Sequence, residues 1–92
     1  MLKLSYTTQF KKDFKKCKKR GYDMNLLSGV INKLLAEELL DAKHKDHPLL
    51  GEYLGFRECH VQSDWLLIYM VDNDRDILTA ARTGTHSDLF DE

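Results

Sequence analysis

The fold is decided by residues 65–71, which read Trp65-Leu66-Leu67-Ile68-Tyr69-Met70-Val71, an unbroken apolar run. Successive side chains of a strand point to opposite faces, so a strand with this sequence needs apolar partners on both faces. A short apolar run bounded by polar residues is typical of a strand buried at the centre of a sheet. We therefore predict a central strand here, covered on each side.

Three further strands are predicted around this run. Phe56–Val61 and Ile77–Arg82 flank it and are separated from it by short polar turns at 62–64 and 72–76. Such short connections favour antiparallel neighbours in a meander. Residues 2–6 alternate between apolar and polar side chains, which indicates a short strand at the start of the chain.

Two amphipathic helices are predicted between the first strand and the meander. The first begins at Thr7 or Thr8, whose hydroxyl can cap it, and ends near Gly21. The second begins at Asp23 and continues to about Leu40, with apolar residues at helical spacing. Because a short turn joins them, the two helices form a hairpin whose apolar stripes need a sheet to cover.

The remaining segments complete a single α+β domain over residues 1–92. Residues 41–55 include Pro48 and two glycines, which predicts a surface loop. Residues 83–90 are predicted to form a turn followed by about one helical turn. The expected architecture is an N-terminal strand, a two-helix hairpin, an antiparallel sheet of about four strands and a short C-terminal helix. A second domain does not fit a chain of this length.

The net charge of −1 conceals two oppositely charged halves. Residues 1–45 carry eleven Lys and Arg against five Asp and Glu, whereas residues 46–92 carry three against ten. A basic helix attracts polyanions, and lysines that contact phosphates add salt-dependent affinity without reading sequence. The candidate contacts are Lys15, Lys16, Lys18 and Lys19 of the first helix. A solvated helix face explains the same charges equally well.

Apolar run lengths and cysteine content indicate a cytoplasmic protein. No run approaches the roughly 20 apolar residues of a membrane span, and the amino terminus lacks the apolar core of a secretory signal. We therefore expect no membrane contact. In a reducing compartment Cys17 and Cys59 are expected to be small buried hydrophobes rather than a disulfide.

The second half of the chain gathers side chains that suit metal-free cleavage of RNA. That reaction needs a base for the 2′-hydroxyl, an acid for the departing 5′-oxygen and a cation for the phosphate. Histidine, aspartate and arginine can fill these roles, and an aromatic ring can stack an unpaired base. The candidates are His47, His60, Asp64, Arg82 and His86 for catalysis, with Trp65 and Phe90 for the base.

Each candidate also has a structural explanation. His60 can be a strand histidine satisfied by a neighbour, and Asp64 can be a turn residue that accepts local hydrogen bonds. Trp65 can be a core anchor. Arg82 can be a surface ion pair of little energetic weight. Taken singly, each residue fits the structural explanation better than the catalytic one.

The histidine and cysteine spacing does not favour a metal site. His44 and His47 lie three apart, with Cys59 and His60 downstream, but no CxxC or paired ligand motif is present. We therefore expect no metal and no small-molecule cofactor. His44 is expected to lie on the loop without a catalytic role.

Four blocks between residues 46 and 90 carry most of the candidate side chains. They are Asp46-His47-Pro48-Leu49-Leu50-Gly51, Gly55-Phe56-Arg57-Glu58-Cys59-His60, Asp64-Trp65-Leu66-Leu67-Ile68-Tyr69 and Arg82-Thr83-Gly84-Thr85-His86-Ser87-Asp88-Leu89-Phe90. In order and spacing these blocks resemble the YafQ-type toxins of the RelE/ParE superfamily. The resemblance covers about half the chain and implies a RelE-like fold with the order of elements predicted above.

This resemblance implies the toxin of a bacterial type II toxin-antitoxin system. Such a toxin is an mRNA endoribonuclease that enters the A site of the 30S ribosomal subunit, cleaves messenger RNA during translation and is inhibited by a partner antitoxin. It would act through the 2′-hydroxyl of the substrate without a metal cofactor, and the lysines of the first helix would hold ribosomal RNA. Ala80-Ala81 stands where a larger or charged pair is common, so codon preference cannot be carried over.

The resemblance also implies a role for each matching side chain. Proton transfer falls to His47, His86 and Asp64, phosphate stabilisation to Arg82 and protonated His60, and base packing to Phe90, with Trp65 adjacent to Asp64. Two other functions stay open: a non-catalytic ParE-like inhibitor that contacts DNA gyrase, and a basic RNA-binding module for which the lysine-rich helix would suffice.

Overall fold

The computed structural model describes residues 1–90. Along them the elements are β1 (Lys3–Tyr6), α1 (Thr8–Lys19), α2 (Met24–Leu35), β2 (His47–Pro48), β3 (Arg57–Gln62), β4 (Trp65–Asp72), β5 (Ile77–Gly84) and α3 (His86–Phe90), with 3₁₀ turns at Ala42–His44 and Gly51–Tyr53. The predicted α+β order, from an N-terminal strand to a short C-terminal helix, is confirmed.

The apolar run forms the middle strand of a sheet whose order is β1-β5-β4-β3-β2. As predicted, β3 and β5 lie antiparallel on either side of β4. The sheet over residues 1–90 has five strands rather than about four, and β1 pairs parallel to β5. The added strand, β2, lies within the predicted loop and pairs with β3. Two residues, one of them a proline, show no periodicity that sequence could reveal.

The two long helices begin where their capping residues predict. Thr7 Oγ1 accepts from the Phe10 N–H at 2.9 Å, and the Asp23 carboxylate accepts from the Asn25 N–H at 3.1 Å. The second helix ends at Leu35 and not near Leu40 as predicted. Among residues 1–90, no helix has the length and apolar character needed to cross a membrane.

The early end of α2 is a Schellman motif. Glu37 adopts a left-handed conformation with φ 59°, its N–H donates to Leu34 O, and the Glu38 N–H donates to Lys33 O. This pair of bonds satisfies the last carbonyls of a helix and turns the chain away. Glycine usually occupies the left-handed position, so a glutamate there gives no stop signal in the sequence.

Both faces of the sheet are covered, as the sequence of β4 requires. On one side, which we call the helical face, Trp65 and Leu67 are buried together with residues of α1 and α2. On the other side, which we call the α3 face, Leu66 and Ile68 are buried with Leu89 of α3. The α3 face therefore carries a much smaller core and leaves room for polar side chains beside it.

Both cysteines lie in the core of the helical face. Cys17 and Cys59 are buried and unpaired, as expected for small hydrophobes. Burial raises the pKa of the Cys59 thiol to about 12, so the group stays protonated near neutral pH.

Candidate active site

His86, the first residue of α3, is held by Asp64 in the turn between β3 and β4. The Asp64 carboxylate lies 2.8 Å from His86 Nδ1 and also accepts from the His86 backbone N–H at 3.0 Å. These two hydrogen bonds hold the pKa of Asp64 below its usual range. Because a carboxylate only accepts, the proton of the neutral ring lies on Nδ1 and the Nε2 lone pair is left to take a proton.

Further polar side chains continue from His86 along the α3 face. The ring of His60 on β3 lies 5.8 Å from the ring of His86, centroid to centroid. Glu58 Oε1 lies 3.9 Å from His60 Nε2 and 3.3 Å from His47 Nε2. Four predicted catalytic residues are thus brought together, in the order His47, His60, His86 and Asp64.

Glu58 connects His47 and His60 and was not predicted as a functional residue. Its side chain is buried, with the residue only 5% exposed, so it needs charged or hydrogen-bonding partners. His47 Nδ1 donates to the Pro48 carbonyl at 3.0 Å, so both ring nitrogens of His47 face acceptors. Strand alternation placed Glu58 on the same face as His60, a signal that could have identified it.

Phe90 lies one helical turn beyond His86 on α3. Its ring is 6.2 Å from the His86 ring and 5.9 Å from the ring of Tyr53, which meets it edge-on. Phe90 is partly exposed, so its ring is available to stack a base beside the histidines. Tyr53 was not predicted, because it lies in a 3₁₀ turn within the segment expected to be an irregular loop.

A β-bulge in β5 turns Arg82 toward the α3 face. Ala80 pairs with Tyr69 and Arg82 pairs with Ile68, which leaves Ala81 as an extra residue in β5. Directly paired residues share a face, and Ile68 belongs to the α3 face. Without the bulge, Arg82 would share the face of Ala80, which is buried in the core of the helical face.

Asp13 of α1 holds the guanidinium of Arg82. Its carboxylate accepts from Arg82 Nε at 2.8 Å and from the second Arg82 amino group at 3.2 Å. It also accepts from the Thr83 backbone N–H at 3.2 Å and from Gln9 Nε2 at 3.0 Å. Asp13 is 6% exposed, and its charge raises the pKa of Arg82. The sequence alone gave no signal for this contact, since 69 positions separate the two residues.

Asp88 fixes the short helix that carries His86. It forms a capping box with Thr85: the Thr85 N–H donates to Asp88 at 2.9 Å, and the Asp88 N–H donates to Thr85 Oγ1 at 3.1 Å. Arg20 and Lys16 of α1 pair with the same carboxylate at 2.6 and 3.2 Å. Arg20 above all holds the pKa of Asp88 far below its usual range.

Gly84 allows this carboxylate to approach the end of β5. Its φ is +151°, and a Cβ atom at this position would lie 2.8 Å from Asp88 Oδ2. Another residue would therefore need both an unfavourable backbone conformation and a displaced Asp88. Gly84 therefore helps Asp88 to hold the short helix that carries His86.

Trp65 does not reach the site. It is 2% exposed, its ring lies 4.9 Å from the ring of Tyr22, and its Nε1 donates to Thr83 Oγ1 at 2.9 Å. The prediction that Trp65 binds substrate is wrong, because its position in β4 points to the helical face. The alternative, a core anchor, is what the structure has.

The lysines of α1 differ in their availability. Lys16 is paired with Asp88, and its predicted contact with phosphate stays a prediction. Lys15, Lys18 and Lys19 are exposed and make no ion pair within residues 1–90. Their contact with RNA stays a prediction. His44, expected to decorate the loop, donates from Nδ1 to the His60 carbonyl at 2.6 Å and so braces β3.

Glu58, His60 and His86 also have the arrangement of a metal site. One ligand atom from each lies within 4.8 Å of the others. Two imidazoles and a carboxylate suit zinc or copper, and Asp64 on the second nitrogen of His86 is the kind of partner that orients a ligating histidine. These residues lie on two separate elements, so ligand spacing along the sequence could not reveal them. That the reaction needs no metal stays a prediction.

Comparison with known proteins places this geometry in a family. Residues 2–91 match bacterial toxins of type II toxin-antitoxin systems. The mRNA interferase toxin YafQ of Escherichia coli strain K12 is 43% identical over 88 residues, which cover 95% of this chain and 94% of that protein. The chain therefore belongs to the YafQ family.

Solved structures of relatives superimpose on nearly the whole chain. A metal-bound toxin from Helicobacter pylori has a TM-score of 0.92 at 42% identity and covers 98% of this chain and 100% of that one. The YafQ subunit of the E. coli DinJ-YafQ complex has a TM-score of 0.89 at 41% identity, over 98% and 99% of the two chains. The fold class predicted from the sequence is that of these toxins.

Proposed function

We propose that this chain is the toxin of a type II toxin-antitoxin system and cleaves messenger RNA through the 2′-hydroxyl of its substrate. The observation that carries the proposal is the pair formed by His86 and Asp64, with His60 next to it and Phe90 beside it. The relative from E. coli is named an mRNA interferase, which supports the same reaction.

His86 is proposed as the general base. Asp64 accepts from Nδ1 and so directs the Nε2 lone pair outward, toward the 2′-hydroxyl whose proton it takes. Asp64 itself acts by orientation, since the hydrogen bonds that lower its pKa keep it ionised near neutral pH. This refines the expectation that Asp64 transfers a proton.

His47 is proposed as the general acid, because both of its ring nitrogens face acceptors and Nε2 lies in the histidine cluster. The 2′-oxygen attacks phosphorus, the bond to the 5′-oxygen breaks, and His47 gives its Nε2 proton to that oxygen. Protonated His60 and Arg82 stabilise the charge on the phosphate oxygens. The products are a cyclic phosphate, which can open to a 3′-phosphate, and a 5′-hydroxyl.

The metal-binding arrangement of Glu58, His60 and His86 fits a bound zinc or copper ion. Such an ion would supply Lewis acidity at these residues. It would also engage the nitrogen of His86 that the proposed base uses. We therefore assign the proton transfers to the side chains themselves, in agreement with the metal-free reaction expected from the sequence.

The proposed partners are the ribosome with its messenger, and an antitoxin protein. The DinJ-YafQ complex of E. coli supports an antitoxin as partner. Action at the 30S A site and a cytoplasmic location follow from the proposed substrate, because translated messages are found there. The exposed lysines Lys15, Lys18 and Lys19 are the proposed contacts with ribosomal RNA.

Mapping of transcript ends in cells expressing the chain tests this function. We expect translation-dependent cuts at fixed positions within codons, lost in His86→Gln and Asp64→Asn. Asp74→Asn is a matched control, since Asp74 is also an exposed turn aspartate but lies far along the sequence in the β4–β5 turn. Uncut transcripts with damaged DNA would support the gyrase inhibitor instead, and growth inhibition retained by both site variants would refute the assignment.

A further inference from the structure

A basic groove lies next to the candidate active site, and apart from His60 none of its lining residues takes part in the chemistry above. Its volume is about 690 Å³, and it is enclosed by α2, the 3₁₀ turn at Ala42–His44 and the end of β3. Ser63 lines the groove, and the next residue in the chain, Asp64, holds His86. His60 borders the groove as well and belongs to the active-site cluster.

The charge of the groove is entirely positive over the part of the chain that the structure describes. It is lined by Lys33 on α2, Lys43 in the 3₁₀ turn and Lys45 just after that turn, and no Asp or Glu lines it. None of these lysines makes an ion pair with any residue between 1 and 90. Unpaired lysines that converge on one groove attract a polyanion, and the attraction is strongest when no carboxylate is nearby.

The walls of the groove suit a single strand of nucleic acid. Leu26 on its rim is 39% exposed and gives apolar surface for a base. Gly29 leaves the α2 wall open, since a Cβ atom built there would meet nothing within 4 Å. A positively charged groove that follows the backbone is one means by which single strands are bound without sequence preference.

We propose that this groove is a second RNA subsite, which binds backbone phosphates of the messenger strand on one side of the cleaved bond. The inference rests on the proposed function, because it places the cleaved phosphate among His47, His60 and His86. From that position the strand crosses the β3–β4 turn, passing from Asp64 to Ser63, and enters the groove. Its three lysines then neutralise successive phosphates.

Binding of short single-stranded RNAs with a 2′-deoxy nucleotide at the cleaved position tests the subsite. The RNAs are extended by several nucleotides on one side or the other, and the full chain is titrated by fluorescence anisotropy. Extension on one side should increase affinity for the unmodified protein. Gly29→Glu should abolish that gain, because it adds bulk and negative charge to the groove, whereas Ser28→Glu, one residue away and outside the groove lining, should keep it.

The salt dependence of RNA affinity gives an independent measure of what the lysines contribute. The triple variant Lys33→Gln, Lys43→Gln and Lys45→Gln should lower the slope of log affinity against log salt by about 2, since single strands contribute roughly 0.7 per neutralised phosphate. Between 50 and 200 mM salt, the affinity of the unmodified protein should therefore fall about 20-fold more than that of the triple variant. Lys3→Gln, Lys11→Gln and Lys12→Gln remove the same charge elsewhere and should leave the gain from extension intact.

Two results would overturn the proposal. One is an unchanged gain from extension in the groove variants, or no gain in the unmodified protein. The other is that the groove variants lose affinity only for 30S subunits without a messenger, which would assign the lysines to ribosomal RNA. Cleavage of ribosome-bound messenger by the same preparation of unmodified protein reports the proposed function separately, so failure of the subsite and failure of the function are distinguishable.

Discussion

Asp13→Asn is the substitution whose consequences the structure defines most closely. The change leaves Arg82 without its carboxylate, and removal of one partner from a buried ion pair costs about 3–5 kcal/mol. The Arg82 side chain is 23% exposed, so water compensates in part, and the asparagine oxygen still accepts from the Thr83 N–H. We therefore expect a loss of about 2 kcal/mol, and roughly 8–16 °C in Tm for a domain of this size.

Activity should fall more than stability explains. The asparagine amide donates toward an arginine that also only donates, so Arg82 should turn away from the position in which we propose that it contacts the phosphate. A misplacement of this kind costs about 10²-fold in cleavage rate. The assay is single-turnover cleavage of ribosome-bound messenger at a temperature where every variant is folded. Asp23→Asn is the matched control, since asparagine caps a helix as well as aspartate does.

A double-mutant cycle decides whether Asp13 acts through Arg82. If it does, Asp13→Asn should lower cleavage little further when Arg82→Gln is already present, because the residue it positions is gone. The two losses would multiply if Asp13 had an unrelated effect. Multiplicative losses, or full activity of Asp13→Asn, would refute the positioning role.

Three further predictions concern α3, the cysteines and metal ions. Asp88→Asn should lower the free energy of unfolding by about 1–2 kcal/mol at neutral pH, as measured by urea titration. The folded-state pKa of Asp88 lies below the unfolded value of about 3.9. The difference between the two proteins should therefore be complete above that value and disappear as the pH falls through the folded pKa, in titrations at several pH values. Cys59 should resist alkylation at pH 8 until the protein unfolds, since burial raises its pKa to about 12; labelling of the native protein, followed by mass spectrometry, would contradict this. Chelator treatment should leave cleavage unchanged and added zinc should inhibit it by occupying His60 and His86; loss of activity on chelation would show that the reaction needs a metal.

Local patterns were sufficient to predict most of the architecture. The apolar run at 65–71 marks a strand buried on both faces, and Thr7 and Asp23 start helices because their side chains satisfy free N–H groups of the first turn. Two errors share a cause. The strand at 47–48 is too short to show a period, and the left-handed Glu37 that ends α2 is not a residue type that signals a stop.

The residues of the candidate site were proposed from the sequence, but their arrangement could not be. Alternation along β5 would place Arg82 in the core of the helical face, and only the bulge at Ala81 reverses this, a register shift that single-sequence periodicity does not reveal. Asp13 and Asp88 were missed because each binds an arginine that is distant in the sequence. The arginine bound by Asp13 is 69 positions away, and the one bound by Asp88 is 68 positions away. Trp65 was misassigned because its neighbour Asp64 belongs to the candidate site, although Asp64 lies in the turn and Trp65 begins β4 with its side chain in the core of the helical face.

A single substitution in the RNA decides whether the cluster of His47, His60 and His86 with Asp64 cleaves messenger RNA through the substrate's own 2′-hydroxyl. Ribosomes are programmed with a messenger that carries 2′-deoxyribose only at the cleaved nucleotide, and cleavage and end groups are compared with the all-ribose message. We expect no cleavage of the deoxy message, and a cyclic or 3′-phosphate with a 5′-hydroxyl from the all-ribose message. Cleavage of the deoxy message, or products with 3′-hydroxyl and 5′-phosphate ends, would contradict it.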